Sequence, residues 1–159
     1  MESVELFLAY AIRVEEEAAL RFGQLADAMD ACGNREVGGL FRRLSDYSRL
    51  HLADAKARSG FREIPKLRTE EFEWPDLESP ETAAIWATDP FIGRREALEI
   101  ALAAEQAGYD YYKKVLDETT DPEIKALARE FVEEESGHVA ELKKWIAASA
   151  AGKASPVEG

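Results

Sequence analysis

The sequence predicts an all-α protein, an antiparallel four-helix bundle with a long crossover between its second and third helices. Three observations predict it. Four long segments place apolar residues at alternating four- and three-residue steps, the spacing of a helix with one face turned to a core. No segment alternates with period two over a useful length, so strands are not expected. The turns inside each half are short, whereas roughly thirty residues separate the second segment from the third, which fits a crossover joining two helix pairs.

The first helix is expected from about Val4 to Met29, with Ser3 as its N-cap and Cys32-Gly33-Asn34 as its stop. Its stripe reads Leu8, Ile12, Glu15, Ala19, Phe22, Ala26, Met29; Glu16 and Glu17 point elsewhere, as solvated charge. The second runs from about Arg35 to Arg58, ends at Gly60, and carries Val37, Phe41, Leu44, Ser48, His51 and Ala55 on its inner face. Ser59 to Asp89 is the least regular stretch. It holds Pro65, Trp74-Pro75 and Pro80, and Ser79-Pro80-Glu81-Thr82 could open a short helix through Trp86. The third helix is expected from Asp89-Pro90 to about Asp117, with Leu98, Leu102, Glu105, Tyr109, Tyr112 and Leu116 inward. Thr120-Asp121-Pro122-Glu123 opens the fourth, where cap, proline and acidic first turn agree. It ends near Ala148, and its stripe is Ile124, Ala128, Phe131, Glu135, His138, Leu142, Trp145. One domain over residues 1–148 is therefore expected, with 149–159 as a frayed tail.

Composition narrows the function. A net charge of −12, from 20 basic and 32 acidic residues, argues against nucleic acid and anionic membrane as partners. The single Cys32 excludes an internal disulfide and any four-cysteine metal centre. Leu6 to Val14 is too short for a membrane span, contains Arg13, and lacks the features of a signal peptide, so a cytoplasmic location is expected.

The inward polar residues repeat. Glu15 has Phe22 seven residues later and a partner helix bearing His51; Glu105 has Tyr112 seven later and a partner helix bearing Glu135 and His138. Offsets of 90 residues for the glutamates and 87 for the histidines superimpose the halves, and Ser48 then falls opposite Glu135. Carboxylates near a bundle axis are costly unless a cation balances them, and no Lys or Arg lies on the four stripes. A divalent metal supplies that charge. Mixed carboxylate and imidazole donors suit iron, manganese or zinc better than calcium or magnesium, and helix bundles house dimetal sites built in this way.

On Glu15-Glu16-Glu17-Ala18 with Phe22, Ser48-x-x-His51, Glu105 with Tyr112, and Glu135-Ser-Gly-His138, the chain resembles the rubrerythrin branch of the ferritin-like superfamily, over residues 4–148. The resemblance implies that Glu15, His51, Glu105, Glu135 and His138 are iron ligands. It also implies a non-haem di-iron oxidoreductase of peroxidase or ferroxidase type, acting on peroxide, dioxygen or ferrous iron. Three departures stand out: Ser48 replaces a bridging glutamate, Gly108 replaces a further glutamate, and no rubredoxin-like domain is present. An external electron donor is then required. One or two iron ions per chain are expected, zinc or manganese being the other metals that fit. A non-redox protein with a single zinc or iron position is the alternative, and a structural module with a vestigial site is a third reading. Trp74 and Trp86 suggest a homodimer interface in the crossover.

Overall fold

Local chemistry sets the helix limits. In the computed structural model, which describes residues 3–74 and 91–150, the Ser3 hydroxyl accepts a 3.2 Å hydrogen bond from the Leu6 amide and opens α1 (Val4–Ala31). That helix stops where Gly33 adopts φ 81° and the Asn34 amide donates back to the Met29 carbonyl at 2.8 Å. Asn34 then caps α2 (Arg35–Ser59) and, through its side-chain amide, donates to the Ile92 carbonyl at 2.7 Å. Gly60, at φ 54°, closes α2. α3 spans Arg94–Glu118. α4 spans Pro122–Ala150, its first turn held by the Asp121 carboxylate, which accepts from the Glu123 and Ile124 amides. Apart from a three-residue 3-10 turn at Thr69–Glu71, the described residues contain no other regular element, and none of their helices is long and apolar enough to cross a membrane.

Two expectations about α3 are corrected. Its first turn is at Arg94, not Asp89-Pro90: Phe91 is exposed, Ile92 is buried, and the Ile92 carbonyl is taken by Asn34 rather than by a helix. Its inner face is also turned toward the small residues Ala97, Ala101, Ala104 and Gly108, so Tyr111 is buried while Tyr109 is half exposed. The short helix expected from Ser79 to Trp86 and the tail from residue 151 lie outside the described residues; α4 itself continues two residues beyond Ala148.

α1 packs most extensively on α2 and α3 on α4, with lighter α2–α3 and α1–α4 contact. The apolar side chains form two clusters. One gathers Phe22 and Met29 from α1, Phe41 and Leu44 from α2, Leu98 from α3, and Leu142 and Trp145 from α4. The other gathers Phe7 and Val14 from α1, Ala55 from α2, Tyr112 and Val115 from α3, and Ile124 and Phe131 from α4. Each large side chain so buried stabilises the fold by roughly 1.5–3 kcal/mol. Along every helix the site residues fall between its two apolar runs, so a polar layer crosses the middle of the bundle.

The same assignment explains the crossover. α2 ends in the second cluster and α3 begins in the first, so the chain must return along the length of the bundle. Its described first part lies against α1. Ile64, Leu67, Phe72 and Trp74 pack on the second cluster, Arg13 reaches Thr69 at 2.6 Å, and the Tyr10 hydroxyl accepts from the Glu73 amide at 2.7 Å. Trp74 meets Tyr10 and Tyr111 with centroids 4.9 and 5.5 Å apart, so its ring is engaged inside this chain; Trp86 lies outside the described residues.

Candidate metal centre

Each polar residue of the middle layer is placed by its helix and admitted by small neighbours. On α1, Glu15 is flanked by the buried Ala11, Ala18 and Ala19; on α3, Glu105 is flanked by Ala101, Ala104 and Gly108. Such residues let four backbones approach closely enough for their side chains to converge. Glu135 and His138, three apart on α4, share a face, as do Ser48 and His51 on α2.

The structure brings all five sequence-predicted residues together, in two triads. Glu15, His51 and Glu135 offer donor atoms within 4.8 Å of one another, and so do Glu105, Glu135 and His138. Glu135 is common to both. Within the triads, His51 Nδ1 lies 3.7 Å from Glu15 Oε2, and His138 Nδ1 lies 3.5 Å from Glu105 Oε2. The two imidazoles stack, centroids 4.2 Å apart and planes 21° from parallel, so the triads adjoin. Ser48, where the half-repeat places a carboxylate, is buried on the same face of α2 as His51.

Burial is nearly complete for the acids: Glu15, Glu105 and Glu135 are exposed by 1%, 4% and 1%. Both oxygens of Glu15 and Oε2 of Glu105 are buried from solvent, their nearest imidazole nitrogens standing off at 3.7 and 3.5 Å. A buried carboxylate in that state costs several kcal/mol unless a proton or a cation occupies it. The electrostatics agree. Burial pushes the Glu15 carboxyl above its ordinary value against the pull of His51. Burial also pushes on Glu105, but hydrogen bonding to Glu135 and His138 outweighs it and holds this carboxyl at about 2. For two carboxylic groups to hydrogen-bond, one must carry a proton, so Glu105 and Glu135 are close enough to share one positive particle. His51 loses charge stability by burial and regains more from Glu15, ending above its usual value.

Two features were not visible in the sequence. Tyr47 packs its ring 6.0 Å from that of His138. Glu134, hidden in an acidic run, is half-buried beside Asp54; burial, then a hydrogen bond and like charge from Asp54, raise it to about 7.

A sequence profile described as Rubrerythrin matches residues 7–146. A solved structure of an uncharacterized conserved protein from Magnetospirillum magnetotacticum MS-1 is similar to this chain at 36% sequence identity, covering 91% of this chain and 94% of that one, with a TM-score of 0.68. No curated protein matches.

Proposed function

The chain belongs to the rubrerythrin family, and we propose that it holds iron in the polar layer and acts as an oxidoreductase that reduces peroxide or oxidises ferrous iron. The observation that carries this reading is the pair of triads sharing Glu135, in which three almost fully buried carboxylates and two imidazoles converge with no Lys or Arg among them. The donor set fits the group: three carboxylates and two imidazoles are the hard and borderline ligands that ferrous and ferric iron accept. In this reading Glu105 and His138 would hold one position, Glu15 and His51 the other, and Glu135 would serve both. Bound iron supplies one-electron redox chemistry and an electrophilic site for a peroxide oxygen.

The chain's own residues then have distinct tasks. The carboxylates fix charge and separation. The apolar clusters on either side close the layer along the bundle axis, which strengthens each electrostatic interaction within it. Reduction of R–O–O–H to R–OH and water breaks the O–O bond and consumes two electrons and two protons. In this reading the electrons come from an external carrier protein or a small reductant.

A second reading has a specific observation in its favour. Ser48 is buried where the half-repeat calls for a carboxylate, and a hydroxyl is a poor ligand beside one. This favours a non-redox protein holding one zinc or iron ion at Glu105, Glu135 and His138. Metal counted per chain, in native protein and in Ser48→Glu, separates the readings. Iron near two per chain with peroxide turnover supports the first. One non-cycling ion that becomes two on Ser48→Glu supports the second. A native chain that retains no metal and takes up none on titration overturns both.

A further inference from the structure

The five site residues are not equally hidden. The side chains of Glu15 and Glu105 are exposed by 1% and 5%, that of His51 by 15%, and that of His138 by 27%. Solvent therefore reaches the layer at its His138 end. A cavity of about 140 Å³ opens there, with Glu105 and His138 among its lining residues. Leu44 and Tyr47 of α2 and Leu142 and Trp145 of α4 make its apolar wall. Glu141, exposed at the rim, accepts a 3.1 Å hydrogen bond from the Trp145 indole N–H, which fixes the ring at the edge of the opening.

We propose that this cavity is the port through which an exogenous molecule reaches the Glu105–His138 position, and that it selects small, uncharged molecules. The proposal rests on the metal reading above and goes beyond it in naming the route to the site and the residues, Tyr47 and Glu141, that set its width and charge. Size follows from volume, since 140 Å³ is the space of roughly four or five waters. Charge follows from the acid at the mouth. Ligation neutralises Glu105, but Glu141 keeps its charge and repels an anion at the mouth. Tyr47, half-buried and against His138, sets the width. Leu44, Leu142 and Trp145 are nearly fully buried core residues and define the wall without being free to move aside.

The test uses the full chain loaded with cobalt(II), whose visible absorption reports any molecule that approaches the metal. Three probes are titrated at about pH 8.5: imidazole, which is small and neutral; 4-phenylimidazole, which is bulky and neutral; and azide, a small anion. In the native chain imidazole perturbs the spectrum, while 4-phenylimidazole binds at least about tenfold more weakly. Tyr47→Ala brings the two within about threefold of each other, and Tyr47→Phe, which keeps the ring, preserves the native discrimination. Glu141→Gln retains an acceptor for the indole but loses the charge; it tightens azide about fivefold and leaves imidazole unchanged. Cobalt uptake with equal binding of both imidazoles, or with neither Tyr47→Ala nor Glu141→Gln altering any probe, overturns the port alone. No cobalt uptake overturns the metal reading and the port with it.

Discussion

Glu135 is the residue on which the two triads depend together, whereas His51 belongs to one of them. If the layer holds metal as proposed, their substitutions differ in kind and not only in degree. Glu135→Gln, nearly the same size, should weaken both positions by about a hundredfold or more, because the shared donor loses its charge. His51→Ala should empty only the Glu15 position and leave that of Glu105 and His138 filled. Titration calorimetry on metal-free protein, followed by metal counting, distinguishes these outcomes. Equal loss of one ion in both variants would show that Glu135 serves a single position. Their legibility in the sequence has a plain cause. A carboxylate or imidazole on an otherwise apolar stripe is conspicuous in one helix, and Glu15, His51, Glu105, Glu135 and His138 each stood out in that way. Tyr47 and Glu134 did not, because what matters about them is which side chain of another helix they meet.

Helix by helix, agreement with the sequence is close where a cap or a large side chain marks the position. Ser3, Asn34 and Asp121 cap their helices through side-chain oxygens, and the stripes of α1, α2 and α4 lie inward along nearly their whole length. α3 differs because its buried face is made largely of Ala and Gly, whose small side chains give a weak hydrophobic signal. Leu102 and Tyr109 drew the stripe one position away, while the packing of Tyr111 on Trp74 depends on a crossover that helical periodicity does not describe. α2 offers a matched pair for testing close approach. A Cβ on Gly39 meets nothing within 4 Å, whereas one on Gly38 would lie 2.2 Å from Asp30 Oδ1 and 3.3 Å from the Ala26 carbonyl. Asp30 is itself held by Arg42 at 2.8 Å. Gly39→Ala should therefore gain about 0.5–1 kcal/mol from helix propensity. Gly38→Ala should lose that gain and more to displacement of Asp30. Thermal melts of the two variants check the difference; an equal rise in both would mean that α1 and α2 separate easily at this crossing.

For the molecule as a whole, the polar layer couples stability to pH and to metal. The folded pKa of Glu134 is about 7, above its unfolded value, so its contribution is present below about 4.5 and disappears as pH rises through about 7. Glu15 and His51, also raised, act in the same direction, while Glu105, lowered to about 2, loses its contribution as pH falls from about 4.5 towards 2. Metal-free protein should accordingly melt at lower temperature as pH climbs from about 5 to 8, and Glu134→Gln should remove part of that slope. Melting curves in chelator test this, and a flat or rising profile would contradict it. Added metal should oppose the trend, since its binding strengthens as protons leave, and it stabilises the fold by about 2.7 kcal/mol at a hundredfold excess over its dissociation constant. The layer has one more consequence, for how this chain can change length. Five side chains from four continuous helices meet at one level, so inserting a residue on either side of that level slides the rest of the helix by ~1.5 Å and turns it by ~100°. Spacing across the layer is thereby locked, as Glu135-x-x-His138 and Ser48-x-x-His51 illustrate, whereas the helix ends can gain or lose residues freely. The unequal offsets of 90 and 87 residues between the halves lie in the helix ends: Ala31 is 16 residues beyond Glu15 and Glu118 is 13 beyond Glu105, three-residue turns join both pairs, and the layer stays level.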